Sequence, residues 1–540
     1  MRFLIQNVLD EFAQRTPEAT VFRCNDASLS YGVCVERTNQ LANALLEQGV
    51  RRGDRVGIYL HKSLESAIAV FGILKAGAAY VPIDPRLPQN SVRYLLAHCG
   101  ITHVVSESPK LDSLVRLANT TPLECAIGPA SSDGDLPIRT MGWHDVAAMP
   151  TTPARVLPAL IETDLAYIMY TSGSTGRPKG IMHTHRSGLS YAEAASGAYD
   201  VRPGDVLSNH SHLHFDMSTF DLFSGPLRGA TTVIIPEMHM IMPASLSQLI
   251  EDERMTIWYS VSSALVELLL RGDLEQRNLE SLRWVIFGGE PFPSNHLHNL
   301  MTRLPNARFS NVYGPAETNV CTYFNVPPLP NRYADTPIPI GRAWDIAEPL
   351  VIAEDGEPVQ AGEQGELLIA SSTQMQGYWN DPERTAAAFH RLKPYPDPTY
   401  EKVYLRTGDL VRAQEDGDFV FLGRKDRQVK VRGFRIELDG IEAALTSHEL
   451  VAEAAVWVTD KQPATLEAAV ILREASEAGS AGTDIKRHAQ ENLPHYAVPE
   501  SIAIMDRFPR TGTGKIDRRE IQAVLKELRS ASSGRNQVAV

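Results

Sequence analysis

Ten consecutive residues, Thr171, Ser172, Gly173, Ser174, Thr175, Gly176, Arg177, Pro178, Lys179 and Gly180, combine three glycines, four hydroxyls and a lysine. They directly follow an apolar run, Leu165–Tyr170, that reads as a strand. Such a loop can turn its backbone N–H groups toward an anion, with Ser172, Ser174 and Thr175 adding hydroxyl donors. Lys179 adds a point charge suited to phosphate. The spacing does not fit GxxxxGK[ST], so this is not a Walker loop. The competing reading is a mobile surface turn, and the strand in front of the loop favours the phosphate. Near the C-terminus a second Gly-rich turn, Thr511 to Lys515, can hold the Lys515 side chain extended. Taken alone, Lys515 reads as an ordinary surface lysine.

Asp216 stands between two apolar residues in the string Phe215-Asp216-Met217-Ser218. A desolvated carboxylate needs a cationic partner, and losing one side of such a pair costs about 3–5 kcal/mol. The alternative is a cap for a helix over Phe220–Phe223. His210, His212 and His214 alternate, as on one face of a strand. Asp216 is the only carboxylate beside them, so they read as a strand lining a pocket and not as a metal site. His183 and His185 read as packing or polar support for the Gly-rich loop.

The elements that must position these residues follow from the rest of the chain. It has 540 residues with a net charge of −13, which disfavours nucleic acid and anionic membrane as partners. Hydrophobic residues at 43% and charged residues at 22% exclude a disordered chain. Five cysteines without CxxC spacing exclude a disulfide framework and read as reduced thiols of a cytoplasmic protein. The N-terminus reads as an amphipathic surface helix, with neither signal core nor membrane span. Apolar runs at Val56–Leu60, Tyr80–Ile83, Leu165–Tyr170, Thr231–Ile235, Ile257–Val261 and Trp284–Phe287 alternate with helices such as Ser63–Lys75. That pattern predicts α/β architecture with at least two parallel sheets covered by helices. The texture changes after Asp426, predicting a large domain over 1–426, a small mobile α+β domain over 427–530 and a tail over 531–540. Within the small domain, Glu474–Asp484 reads as a flexible loop.

The Thr171–Gly180 string resembles the signature of the AMP-forming adenylating superfamily, which includes acyl-CoA synthetases, luciferases and the adenylation domains of nonribosomal peptide synthetases. Six further motifs stand in that superfamily's order: Leu74–Pro85, Asn311–Thr318, Gly365–Ile369, Tyr404–Leu410, Gly423–Leu438 and Arg510–Arg519. The resemblance implies that a carboxylate attacks the α-phosphorus of Mg·ATP and that a thiol then takes the acyl group. Two anions must meet, so positive charge and orientation are the site's main tasks.

By the same resemblance, Thr318 contacts the α-phosphate and Glu317 holds Mg²⁺. Asn311 and Gly314 bind ATP, and Tyr313 lies against adenine with Phe421 on the other side. Asp409 accepts the ribose hydroxyls and Arg424 reaches ribose or phosphate. Lys515 bridges the substrate carboxylate and the nucleotide, and Asp426 is the hinge between domains.

The substrate side also follows from the resemblance. An aspartate at the place of Asp216 binds the ammonium of an amino acid, and the side-chain pocket comprises Met217, Phe220, Ser260 (or its neighbour Tyr259), Ile286, Gly288, Val312, Val320 and Cys321. Its apolar character predicts a small apolar amino acid. Asp216, Val320, Cys321 and Lys515 are similar to stand-alone prolyl-carrier-protein ligases, while Phe220 is bulkier than that pattern and leaves β-amino acids open. No carrier or condensation segment is recognisable, so the expected acceptor is a separate phosphopantetheinyl carrier protein, as in antibiotic biosynthesis, with a small activating partner protein as a possible addition. The rival readings are an acyl-CoA ligase and a catalytically silent nucleotide-binding protein.

Overall fold

The computed structural model describes residues 3–129, 136–156, 159–173, 177–327, 337–393, 401–459, 461, 464–473, 478–511 and 516–535. The chain divides into two compact units, one of residues 1–85, 92–171 and 179–426, the other of residues 86–91, 172–178 and 427–540.

The first unit is built on three sheets. The first runs, in spatial order, Gly377–Tyr378, Lys179–Thr184, Leu165–Thr171, Ala79–Pro82, Arg55–Tyr59, His103–Ser106, Cys125–Gly128 and Arg139–Gly142. Its strands are parallel from Leu165–Thr171 onward. Lys179–Thr184 returns antiparallel beside Leu165–Thr171, pairing Thr171 with Lys179 and Tyr170 with Gly180. The second sheet has nine strands and a parallel centre: Arg308–Tyr313, Trp284–Gly288, Ile257–Val261, Val206–Asn209, Thr231–Ile234 and Thr20–Cys24. The short continuous apolar runs of the sequence are these central strands, buried on both faces. Their helices carry local start signals. Ser63 accepts from the Ser66 N–H in a capping box at the start of Leu64–Lys75.

A third, antiparallel sheet of Ala347–Ile352, Gln364–Ser371, Lys402–Ala413, Phe389–Leu392 and Phe419–Arg424 was not separated from the parallel sheets by sequence patterning. It carries two of the motifs, Gly365–Ile369 and Tyr404–Leu410. The expected N-terminal amphipathic helix is split into two pieces, and only the second, with no buried residue, is a surface helix. The pieces are a short turn, Ile5–Val8, and a helix, Asp10–Arg15, and Ile5, Val8 and Leu9 are fully buried.

The second unit has a hairpin of Gln428–Val431 and Phe434–Glu437, and a sheet of Val451–Val458, Leu466–Leu472 and Ser501–Ile504. Helices Leu438–Thr446, Ala478–Asn492 and Arg518–Arg535 accompany them. Ile436, Ile441, Leu445, Val456, Val470 and Ile485 form its core. The expected loop over 474–484 is helical from Ala478. Ala481, Ile485 and Ala489 recur at helical spacing on its buried face, a signal masked by the small polar residues around them. The expected tail is helical to Arg535. Among the described residues no helix is long and apolar enough to cross a membrane. The mixed α/β architecture with a small C-terminal unit agrees with the sequence expectation.

Candidate active site

The Gly-rich loop joins the antiparallel strands Leu165–Thr171 and Lys179–Thr184, so its two ends are held in register. Ser172 and Gly173 follow the first strand, and Ser174, Thr175 and Gly176 lie outside the described residues. The Thr171 hydroxyl is buried and has no hydrogen-bond partner among the described residues. Lys179 projects from the base of the second strand. Its Nζ donates to Glu317 Oε1 at 3.2 Å and to the Tyr378 hydroxyl at 3.3 Å, and lies 4.8 Å from the Tyr378 ring centroid.

Glu317 and Thr318 stand on the turn after the strand Arg308–Tyr313, and both are buried. The Tyr378 hydroxyl donates to Glu317 Oε1 at 2.8 Å, and the Met375 N–H donates to the Glu317 carbonyl at 2.7 Å. His183 fastens the same turn. Its Nε2 lies 2.9 Å from the Ala316 carbonyl and its ring stacks on Tyr167 at 4.9 Å. Burial holds the His183 imidazole down to about 4, so it is neutral at physiological pH and donates through Nε2. Gly314 admits a close approach of the chain to itself, because a Cβ there would strike the Asn319 carbonyl.

Four of the residues expected to bind ATP come together from two sheets. Asp409 and Arg424 are cross-strand partners, and Arg424 Nη1 donates to Asp409 Oδ1 at 2.5 Å. The Tyr313 hydroxyl donates to the other Asp409 oxygen. Burial, and then the Asp409 charge, push the Tyr313 phenol well above its ordinary range, which keeps it a neutral donor. Phe421 packs on the apolar cluster that contains Tyr313. Asn311, on the strand Arg308–Tyr313, donates instead to the Pro339 carbonyl at 2.8 Å. Arg424 also holds Asp426 through two bonds of 2.6 and 2.7 Å. Lys515 lies outside the described residues.

Of the residues expected to line the side-chain pocket, Met217, Phe220, Ile286, Val312 and Val320 share one apolar cluster with Tyr191, Tyr199 and Tyr259. The structure corrects one member of the expected list. Ser260 turns to the opposite face of the strand Ile257–Val261, where it accepts the Trp258 Nε1–H at 2.8 Å. Tyr259 takes the cluster-facing position, as strand alternation requires once Trp258 is committed to the other core. Cys321 sits in the neighbouring cluster, under Tyr313. Gly288 leaves room for the adjacent strand, since a Cβ would strike the Val312 carbonyl.

Asp216 is not a simple helix cap. Its Oδ1 accepts the Met217 N–H at 3.0 Å, and its carbonyl accepts both the N–H and the hydroxyl of Thr219. The Met217 it bonds packs on the apolar cluster, and the Asp216 charge adds to burial in raising the phenols of Tyr259 and Tyr191. The histidines do not lie on a strand, because Val206–Asn209 ends before them. His210 packs against Trp258, and His212 and His214 stack on each other at 5.4 Å. No group of three or more metal-ligating side chains forms among the described residues. Sequence reasoning missed Tyr378 and Asn319, and it left Ser260 and Tyr259 open as alternatives. The alternation of the strand says that only one of Ser260 and Tyr259 faces the cluster, and neither Tyr378 nor Asn319 carried a local signal.

This arrangement places an ammonium and a phenol around one buried carboxylate, Glu317, and an arginine and a phenol around a second, Asp409, with a third, Asp216, next to a residue of an apolar cluster. The family model for AMP-binding enzymes matches residues 9–379, and that for the AMP-binding enzyme C-terminal domain matches residues 440–515. The chain belongs to the AMP-binding enzyme family. As such it is an AMP-forming ligase that uses ATP. It is 33% identical over 521 residues to an L-proline--[L-prolyl-carrier protein] ligase of Pseudomonas fluorescens, covering 96% of this chain and 98% of the relative. A protein of the same name from Streptomyces coelicolor is 37% identical over 504 residues, covering 91% of each chain. The fold is similar to that of the Vibrio cholerae adenylation domain AlmE, solved with glycyl-adenosine-5'-phosphate, with a TM-score of 0.82, 24% identity and 98% of both chains covered.

Proposed function

We propose that this AMP-binding enzyme activates a small apolar α-amino acid, proline first, and passes it to a carrier protein. The substrate carboxylate oxygen attacks the α-phosphorus of ATP, an aminoacyl-AMP forms and pyrophosphate leaves. The thiol of a carrier-bound phosphopantetheine then displaces AMP to give a thioester. The observation that carries this reading is Asp216, a carboxylate bonded to the N–H of Met217, whose side chain packs on the apolar cluster of Tyr191, Tyr199, Phe220 and Tyr259. A substrate ammonium at this edge pairs with the carboxylate while the cluster takes the apolar side chain. The names of the two relatives support proline and a carrier-protein acceptor.

In this reading Asp409 exchanges its bonds to Tyr313 and Arg424 for the ribose hydroxyls, and the freed Arg424 turns to phosphate. Tyr313 and Phe421 flank adenine, with Asn311 and Gly314 shaping that wall. Thr318 meets the α-phosphate, together with the Thr171–Gly176 hydroxyls and N–H groups and Lys179. Lys515 neutralises charge developing between carboxylate and phosphate. Glu317 is an oxygen donor of the kind Mg²⁺ takes in addition to phosphate oxygens and water, so a single carboxylate suffices. Mg²⁺ held there offsets phosphate charge. Asp426, the last residue of the first unit, is the hinge of a two-domain enzyme acting in the cytoplasm.

The test is ATP–pyrophosphate exchange with proline, other small apolar α-amino acids, β-amino acids and matched acids lacking the amine. Exchange that requires the amine and is lost in Asp216→Ala is the expected result. Exchange driven equally well by amine-free acids refutes the reading and favours an acyl-CoA ligase.

A further inference from the structure

Asn319 directly follows Glu317 and Thr318, yet its side chain reaches back to the turn that carries Asp216. The residue is buried and its φ is +56°, in the left-handed region. Its Oδ1 accepts the Val320 N–H at 2.9 Å. A backbone N–H can only donate, so the amide's orientation is settled and Nδ2 must point the other way. There it donates to Thr219 Oγ1 at 2.9 Å. Thr219 is fully buried, and its own proton goes to the Asp216 carbonyl at 2.6 Å. Each donor in this relay has an acceptor that accepts only, or whose proton is already committed, so the direction of the chain is determined throughout.

We propose that Asn319 is a positioning residue that sets the distance between the ammonium anchor at Asp216 and the reaction centre at Glu317 and Thr318. The inference rests on the proposed role of Asp216. An amino acid presents its amine and carboxylate at a separation determined by its carbon chain, one carbon between them for an α-amino acid and two for a β-amino acid. A site whose two ends are tied by consecutive buried hydrogen bonds accepts one separation and resists the other. Asn319 and Thr219 are thereby specificity determinants for α- over β-amino acids, although neither touches the substrate side chain.

The experiment compares kcat/KM for proline, its β-homologue pyrrolidine-3-carboxylate and the amine-free cyclopentanecarboxylate in ATP–pyrophosphate exchange. Asn319→Gly removes the side chain while keeping the left-handed backbone, and Thr219→Val keeps the shape without the hydroxyl. Each lowers the α-over-β ratio roughly tenfold, the worth of one buried hydrogen bond. Thr219→Ser keeps the hydroxyl and holds the wild-type ratio, and the KM for ATP stays within about twofold in all three, because the relay reaches the amine end. A merely structural role lowers all rates together and leaves the ratio where it was. An unchanged ratio in both Asn319→Gly and Thr219→Val overturns the proposal, whatever happens to absolute rates. Wild-type exchange indifferent to the amine instead removes the Asp216 reading, and this inference with it, so the two failures are told apart by the wild-type enzyme.

Discussion

The contact between Tyr378 and Glu317 yields the sharpest single prediction. The Tyr378 hydroxyl donates to Glu317 Oε1 at 2.8 Å, and the Glu317 residue is only 2% exposed. Lys179 approaches the same oxygen at 3.2 Å while resting on the Tyr378 ring. Tyr378→Phe leaves the ring, and so the packing and the lysine's seat, but deletes a hydrogen bond to a buried charge. Such a bond is worth about 1.5–3 kcal/mol. If the carboxylate is held in its working position by this donor, kcat/KM for Mg·ATP falls roughly ten- to a hundredfold. The assay is pyrophosphate exchange at saturating amino acid with Mg·ATP varied, and with the melting temperature of the variant checked. Because Tyr378 contacts Glu317 and Lys179 and packs outside the apolar cluster of Met217 and Tyr259, the preference among amino acids stays as in the wild type. A folded Tyr378→Phe enzyme within twofold of wild type for Mg·ATP refutes the reasoning. So does a variant whose defect lies in amino-acid preference alone.

Three further outcomes are expected. Tyr259→Ala shifts exchange toward amino acids with larger side chains, whereas Ser260→Ala leaves selectivity intact and costs about 1–3 kcal/mol of stability by stranding the Trp258 Nε1–H; equal changes in selectivity from the two variants contradict the strand's orientation. Lys62 donates to the carbonyls of Asn209, His210 and Ser211, and burial holds its ammonium down to about 7 from 10.5. Between those values the unfolded chain binds one more proton than the fold, so this group makes stability rise with pH by up to about 1.4 kcal/mol per unit. Denaturant unfolding of Lys62→Met from pH 7 to 9.5 shows a shallower slope than wild type, and identical slopes exclude the assignment. Lys515→Ala lowers exchange by about 10²–10³ with the fold retained, as for loss of one transition-state stabiliser; a fully active variant removes its catalytic role.

Much of the molecule was legible before any coordinates. The Gly-rich loop does follow a strand, because Leu165–Tyr170 is a continuous apolar run of the kind a doubly covered parallel strand needs. The helix Leu64–Lys75 starts where Ser63 caps it. Less was legible where small residues blur the pattern, as in Ala478–Asn492, whose buried alanines and isoleucine stand among glycine, serine and charged residues. The third sheet was also hidden, since half-exposed antiparallel strands such as Phe419–Arg424 carry a weaker apolar signal than a buried parallel core.

The sequence by itself determined the order of the motifs, the α/β class, the chemistry available at Asp216, Glu317 and Asp409, and the family those motifs resemble. These are local properties, settled by residue type and by spacing within an element. The tertiary structure decided which of Tyr259 and Ser260 faces the apolar cluster, since alternation names two faces without saying which core each one meets. It also decided the pairings of Tyr313 with Asp409, Glu317 with Tyr378, and Asn319 with Thr219, which lie 96, 61 and 100 residues apart. Contacts at such separations depend on the lateral order of strands and the crossing of turns. No local pattern encodes that order, because it arises only when whole sheets and helices bury their apolar faces together.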